Sequence, residues 1–205
     1  MVQDNASNPS RRKLLIGLSA AVGGLGAVGA ATPFVSSWWP SARARAAGAP
    51  VTVDVSSLQM GQKMVVEWRG KPVWVVRRSE ATLKQLRDPA SYLRDPDSSA
   101  SVQPEFAENP ARALKPEYLI LVGLCTHLGC SPLYKPEVGS SEFGKDWAGG
   151  FYCPCHGSKF DLSGRVYIGV PAPINLEVPP YFFSEDGVVT IGELEGSNGS
   201  EGETV

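Results

Sequence analysis

The first apolar feature of the chain is an uncharged run over 14–39, which directly follows a basic triplet at 11–13. A helix of this length can cross a hydrocarbon core of about 30 Å. The two tryptophans at the far end of the run suit a membrane interface, and the basic triplet favours a cytoplasmic N-terminus. The pattern therefore predicts a cytoplasmic segment over 1–13 and a transmembrane anchor over 14–39.

A cleaved secretory peptide is the alternative, because "SARARAAGAP" at 41–50 offers small residues for a cleavage site. The apolar run is longer than the hydrophobic region of such peptides, and we therefore favour a retained anchor. Both interpretations place the rest of the chain outside the cytoplasm, where disulfides persist. Residues 40–50 are small and lack apolar periodicity, which predicts a flexible hinge linker.

From residue 51 onwards apolar residues recur in short runs, a pattern typical of β-strands. Two runs flank Arg69-Gly70, which predicts a hairpin. Ser79 is a candidate cap for a short helix that extends to Leu86 and ends before Asp88-Pro89. The predicted strands lie at 51–55, 64–68, 71–76, 118–123, 149–153 and 164–169, and in "PINLEVPP", "YFFSE" and "GVVTIGELE". We expect one all-β domain over 51–193.

Two polar segments interrupt or follow these strands. Residues 94–116 are polar and contain prolines, which predicts a long surface excursion. Residues 194–205 are acidic and poor in apolar side chains, which predicts a disordered tail.

Charge is distributed unevenly along the chain. The formal net charge is -2, yet five basic residues and one acidic residue precede position 51. The remainder has 19 − 5 = 14 basic and 21 − 1 = 20 acidic residues, a net charge of -6. An acidic domain without lysine or arginine clusters argues against nucleic acid as a partner.

All four cysteines and both histidines lie in two short stretches, "CTHLGC" at 125–130 and "CPCHGS" at 153–158. Two structural disulfides would leave the placement of the histidines unexplained. A Cys2His2 zinc site is chemically reasonable but leaves two cysteines without a role. A thioredoxin-type redox site is disfavoured, because Cys153-Pro-Cys155 is C-x-C rather than C-x-x-C.

The two stretches together resemble the cluster-binding loops of the Rieske iron–sulfur family, whose fold is an antiparallel β-sandwich with a cluster-binding subdomain. The resemblance implies one [2Fe–2S] cluster per chain, with two thiolates on one iron and two imidazoles on the other. It implies that Cys125 and Cys153 bind one iron and that His127 and His156 bind the other. It further implies a disulfide between the remaining cysteines, Cys130 and Cys155.

The resemblance also implies which residues surround the cluster. Ser158 matches a serine that donates to a bridging sulfide, and glycines in the loops allow the backbone to approach closely. "GVPAPINL" at 169–176 resembles the proline-rich loop that covers the cluster. The implied residues are Leu128, Gly129, Gly157, Ser158 and Phe160 in the cluster loops, and Gly169, Pro171 and Pro173 in the proline loop.

Phe160 departs from the pattern of the high-potential members, which have a tyrosine that donates a hydrogen bond to a ligand sulfur. Phenylalanine has no donor, and loss of a donor destabilises the reduced, more negative state. We therefore expect a lower midpoint potential than in those members.

Within the family, the chain most resembles the iron–sulfur subunits of bacterial cytochrome bc complexes. An anchor, a small-residue hinge and the "WRGKPVWVVRR" hairpin at 68–78 favour this class. The twin-arginine export motif at Arg11 and Arg12 is shared with the alternative class. The alternative is the small Rieske subunit of a periplasmic oxidase such as arsenite oxidase. Soluble Rieske ferredoxins generally lack the additional cysteine pair and the anchor.

The resemblance implies a proton-coupled electron carrier that has no turnover by itself. It implies that a quinol is oxidised with His156 as hydrogen-bond acceptor, and that the electron continues to a c-type cytochrome. The resemblance leans to ubiquinol, but the sequence does not decide between ubiquinol and menaquinol. The implied partners are a cytochrome b subunit and a cytochrome c-type subunit in a dimeric complex. We expect a single-pass protein of the bacterial inner membrane with its cluster domain in the periplasm.

Overall fold

The computed structural model describes residues 9–86, 91–139, 142–143, 147–185 and 187–196. The chain forms two compact units, Met1–Ala46 and Ala47–Val205.

The first unit contains the long helix α1, Pro9–Ser36. At about 1.5 Å per residue, its 28 residues extend about 42 Å, and the helix is long and apolar enough to cross a membrane. It begins before the basic triplet, because arginine and lysine are good helix formers. It ends before Trp38 and Trp39, which follow in a turn and are exposed.

The segment expected to be a flexible coil contains a second helix, α2, Ala42–Gly48. The backbone N–H of Ala44 donates to the Ser41 side chain at 3.1 Å, which caps its first turn. Four of its seven residues are alanines, the residue with the highest helix propensity. A helix of this length has little stability of its own.

The second unit consists mainly of three antiparallel sheets, each with three strands in the orders β1-β9-β8, β2-β3-β4 and β5-β6-β7. The strands are β1 (Val51–Asp54), β2 (Lys63–Trp68), β3 (Lys71–Arg77), β4 (Tyr118–Val122), β5 (Leu133–Lys135), β6 (Gly150–Cys153), β7 (Ser158–Phe160), β8 (Tyr181–Glu185) and β9 (Val188–Ile191). The predicted all-β fold is confirmed.

Two local predictions are confirmed. β2 and β3 form a hairpin in which Trp68 pairs with Lys71 across Arg69-Gly70. Both turn residues have positive φ, 52° and 70°, as this type of two-residue turn requires.

The predicted short helix is α3, Glu80–Gln85, and the Ser79 side chain accepts a hydrogen bond from the backbone N–H of Thr82 in this helix. Asp88-Pro89, where the helix was expected to stop, lies outside the described residues.

The strands predicted at 164–169 and in "PINLEVPP" are wrong. Apart from single bridges at Val166 and Tyr167, these residues are irregular, because their backbone groups bond to loops and side chains. The Val166 N–H donates to the Asn175 side chain at 2.8 Å, and the Leu176 N–H donates to the Gly164 carbonyl at 2.8 Å. Conversely, β5 and β7 were not predicted, since each has only three residues.

The expected surface excursion at 94–116 is in part an interior segment. It buries Asp95, Ser98 and Arg112, and it contains a short 3₁₀ helix at Glu105–Ala107. Its backbone and side chains bond to the proline-rich segment, for example through the Asn175 N–H, which donates to Ser101 Oγ at 2.9 Å. The polar composition of residues 94–116 therefore did not make the whole segment solvent-exposed. Of the tail predicted over 194–205, residues 197–205 lie outside the described part.

Buried side chains of all three sheets form one contiguous core. Trp74 of β3 stacks on Phe151 of β6 with ring centroids 5.2 Å apart, which joins the second sheet to the third. The two Cys/His stretches extend from β4 and β6 at this junction, so the core fixes the strands that carry them.

Candidate metal centre

The two cysteine-containing stretches contain the same turn. The Gly129 N–H donates to the Cys125 carbonyl at 2.9 Å, and the Gly157 N–H donates to the Cys153 carbonyl at 2.9 Å. Both glycines adopt a left-handed φ, 80° and 77°, which other residues rarely adopt. Each turn therefore begins with a predicted cysteine ligand and contains a predicted histidine ligand two or three residues later.

The two predicted thiol ligands are buried, whereas the two predicted imidazole ligands contact each other and are more accessible. Cys125 and Cys153 are free of disulfides and are buried. The rings of His127 and His156 touch edge to face, with centroids 4.8 Å apart. His127 is half-buried and His156 is exposed. The site thus has a buried sulfur side and an accessible imidazole side.

The two stretches are linked covalently by the Cys130–Cys155 disulfide, and this predicted pairing is confirmed. The sulfur atoms of Cys130, Cys153 and Cys155 lie within 4.8 Å of one another. Because two of these sulfurs are bonded to each other, they do not form a three-thiolate site. The disulfide instead fixes the distance between the loops.

The local environment of Cys125 is mainly apolar. Burial raises the pKa of its thiol, and the adjacent Cys153 thiol raises it further. Hydrogen bonds from the His127 backbone and the Ser158 side chain lower it. Burial favours the protonated thiol, whereas a metal ligand must be a thiolate. Metal binding at Cys125 would therefore release the thiol proton.

Ser158 and Phe160 lie on the same face of β7, because side chains alternate along a strand. Both are fully buried. Ser158 Oγ accepts a hydrogen bond from the Ala172 N–H at 3.0 Å, so its own hydrogen is available to another acceptor. Leu128, beside His127, is 71% exposed, an apolar side chain at the tip of the first loop.

The proline loop lies against this site. Gly169 has a φ of 73°, and Ala172 between Pro171 and Pro173 is fully buried. Thr126, which the sequence did not single out, donates from Oγ1 to the Ile174 carbonyl at 2.7 Å. Its place between Cys125 and His127 was the only signal that could have indicated this role.

The donor set fits a cluster with mixed ligation. Two unpaired thiols and two touching imidazoles are the ligand types that a Rieske [2Fe–2S] centre requires, and the other two cysteines are already used in the disulfide.

Comparisons with known proteins agree with this chemistry. The family model "Rieske [2Fe-2S] domain" matches residues 49–180, and "Ubiquitinol-cytochrome C reductase Fe-S subunit TAT signal" matches residues 1–41. The ubiquinol-cytochrome c reductase iron-sulfur subunit of Allochromatium vinosum is 53% identical, covering 93% of this chain and 92% of the relative. The subunit of the same name from Rhodospirillum rubrum is 42% identical, covering 93% and 98%.

Among solved structures, "Hyperthermophilic respiratory Complex III" is similar at 31% identity, 86% and 98% coverage and a TM-score of 0.47. From the sequence matches, the chain belongs to the Rieske [2Fe–2S] family and, within it, to the iron–sulfur subunits of ubiquinol–cytochrome c reductase. The names of these relatives favour a bc complex over an arsenite oxidase.

Proposed function

We propose that this chain carries electrons one at a time from ubiquinol to a c-type cytochrome in a bacterial bc complex. The observation that carries the proposal is the polarity of the site: both thiols are buried, whereas the imidazole of His156 is exposed. When bound, a cluster with two thiolates and two imidazoles supplies a one-electron acceptor whose potential can reach about +300 mV.

In this proposal each predicted residue has a separate task. Cys125 and Cys153 hold one iron, and His127 and His156 hold the other. The exposed imidazole of His156 accepts a hydrogen bond from the quinol hydroxyl and receives its proton. Leu128, exposed beside His127, contacts the quinol-binding subunit.

The proposed location follows from the N-terminal unit. The basic triplet favours a cytoplasmic N-terminus, and α1 can cross the membrane once. The domain over 51–193 then lies in the periplasm, with residues 40–50 as its hinge. Cytochrome b and a c-type cytochrome are the proposed partners of this chain in a dimeric complex. The proposal rests on the relatives, which are named as subunits of ubiquinol-cytochrome c reductase.

The test is an electron paramagnetic resonance spectrum of membranes reduced with dithionite. We expect a signal with the low average g value of mixed His/Cys ligation. A silent sample that contains stoichiometric zinc would refute the electron-transfer function and leave an exported module with a structural metal.

Phe160→Tyr should raise the midpoint potential. Phe160 is buried on the Ser158 face of β7, so a hydroxyl added there has a route to a ligand sulfur. One hydrogen bond to a charged acceptor, at about 1.5–3 kcal/mol, corresponds to about 65–130 mV for one electron. Redox titration of the variant measures the shift. Phe183→Tyr, which adds the same hydroxyl in β8, is the control. An unchanged midpoint in Phe160→Tyr would contradict the predicted cause of a lower potential.

The hinge is tested by two variants that both disrupt α2. Ala44→Pro with Ala46→Pro should slow quinol–cytochrome c turnover and leave the resonance spectrum intact, because prolines make a linker semi-rigid. Ala44→Gly with Ala46→Gly also disfavours the helix but keeps the backbone flexible, so turnover should remain. Unimpaired turnover in the proline variant would eliminate the tethered-swing mechanism.

A further inference from the structure

Arg94 of the excursion makes three hydrogen bonds, two of them to the proline loop. Its backbone N–H donates to the Val166 carbonyl at 2.9 Å. Its guanidinium donates from Nη1 to the Ala172 carbonyl at 2.8 Å and from Nη2 to the Val170 carbonyl at 3.0 Å. The planar guanidinium holds its donors at fixed angles, so it sets the spacing of the two carbonyls.

Ala172 is bound from the opposite side by Ser158. The Ala172 N–H donates to Ser158 Oγ at 3.0 Å, and both residues are fully buried. Ser158 in turn pairs with Cys153, a predicted ligand, across β6 and β7. Arg94, Ala172 and Ser158 therefore form a chain of contacts from the excursion to the strand pair that carries this ligand.

The other end of the proline-rich segment is attached independently. Thr126 and Ser101 bond to the backbone of Ile174 and Asn175. Of the described residues, Arg94 and Ser158 are the ones that bond to the backbone of 169–173. Loss of Arg94 would thus free the half of the loop that contacts Ser158.

We propose that Arg94 is a positioning residue for Ser158: it clamps the Val170 and Ala172 carbonyls and so holds the Ala172 N–H on Ser158. With that acceptor position of the Ser158 oxygen occupied, the hydroxyl hydrogen is left to donate to sulfur at the predicted cluster site, and a hydroxyl that accepts a bond also donates more strongly. The inference deepens the proposed function, on which it rests. It assigns an effect on the midpoint potential to Arg94, in the segment over 94–116, which the sequence marks only as polar.

The test uses the full chain in its membrane complex with three single variants. Arg94→Met should lower the midpoint potential at unchanged iron content, because weaker donation to sulfur destabilises the reduced state. Arg94→Lys should restore part of the shift, since an ammonium can reach one carbonyl. Lys84→Met, which removes an exposed cation from α3, is the control and should leave the midpoint unchanged.

A second readout is hydrogen exchange of the peptide that contains the Ala172 amide, which should be about tenfold faster in Arg94→Met. A third is the Ser158→Ala background, in which Arg94→Met should produce no further shift of the midpoint. An unchanged midpoint in Arg94→Met, or an equal shift with and without Ser158, would overturn the proposal.

Failure of the proposed function is distinguishable from failure of this inference. A wild-type complex without the resonance signal would refute the electron-transfer function. In that case hydrogen exchange of the Ala172 amide still tests whether Arg94 positions the proline loop. An unchanged exchange rate in Arg94→Met would refute the positioning role of Arg94 as well.

Discussion

Cys153→Ala is expected to lose essentially all bound iron, whereas Cys130→Ala with Cys155→Ala should retain it at low temperature. Cys153 is a free, buried thiol, while Cys155, two positions away, is bonded to Cys130. Loss of a thiolate leaves an iron without one of its protein ligands. Loss of the disulfide removes a link between the loops but keeps all four predicted ligands.

The disulfide variant should instead be less stable. Its cysteines are 25 residues apart, and closing a loop of that length contributes about 3–4 kcal/mol in the chain-entropy estimate. Iron analysis of both variants at low temperature, followed by thermal loss of the visible absorption, separates the two roles. Full iron content in Cys153→Ala, or equal loss in both variants at low temperature, would contradict the ligand assignment.

Asp161→Ala is expected to destabilise the folded domain by about 3–5 kcal/mol, because it leaves the buried Arg165 without its ion-pair partner. Arg165 Nε lies 2.7 Å from Asp161 Oδ2, and both side chains are 3% exposed. Asp161 Oδ1 also accepts from the backbone N–H groups of Ser163 and Arg165 at 2.8 Å. The pair therefore fixes the turn that directly follows β7 and the predicted site.

Urea unfolding of the full chain in detergent, followed by near-ultraviolet circular dichroism, measures this loss. Asp161→Ala with Arg165→Met should recover part of it, since an apolar replacement of a buried pair is often nearly neutral. Asp97→Ala, an exposed carboxylate that also caps a turn, should have a much smaller effect. A loss below about 1 kcal/mol in Asp161→Ala would show that solvent reaches Arg165.

Features set by a few neighbouring residues could be predicted from the sequence. The hairpin at Arg69-Gly70 depends on two positive φ values that adjacent residues determine, and the cap at Ser79 depends on a bond within one helical turn. The long apolar helix follows from composition. The concentration of all cysteines and histidines in two stretches indicated the candidate site.

Other features required the folded chain. The pairing of Cys130 with Cys155 came from a family resemblance, because connectivity depends on which loops meet and four cysteines allow three pairings. β5 and β7 are too short to show an alternation, and they exist because β6 lies between them. The roles of Cys125, Cys153, His127 and His156 as ligands stay predictions, although the fold buries both thiols and brings the two imidazoles into contact.

The sequence by itself determined the membrane-compatible helix, the β-rich domain and the residues that can bind a metal. Only the tertiary structure decided that the polar excursion supports the proline loop and that Arg94 and Ser158 meet at Ala172. The physical reason is range: turns, caps and donor spacing depend on neighbours along the chain. Contacts between distant segments depend instead on how the whole chain folds, as for Arg94 and Ala172, which are 78 residues apart in the sequence.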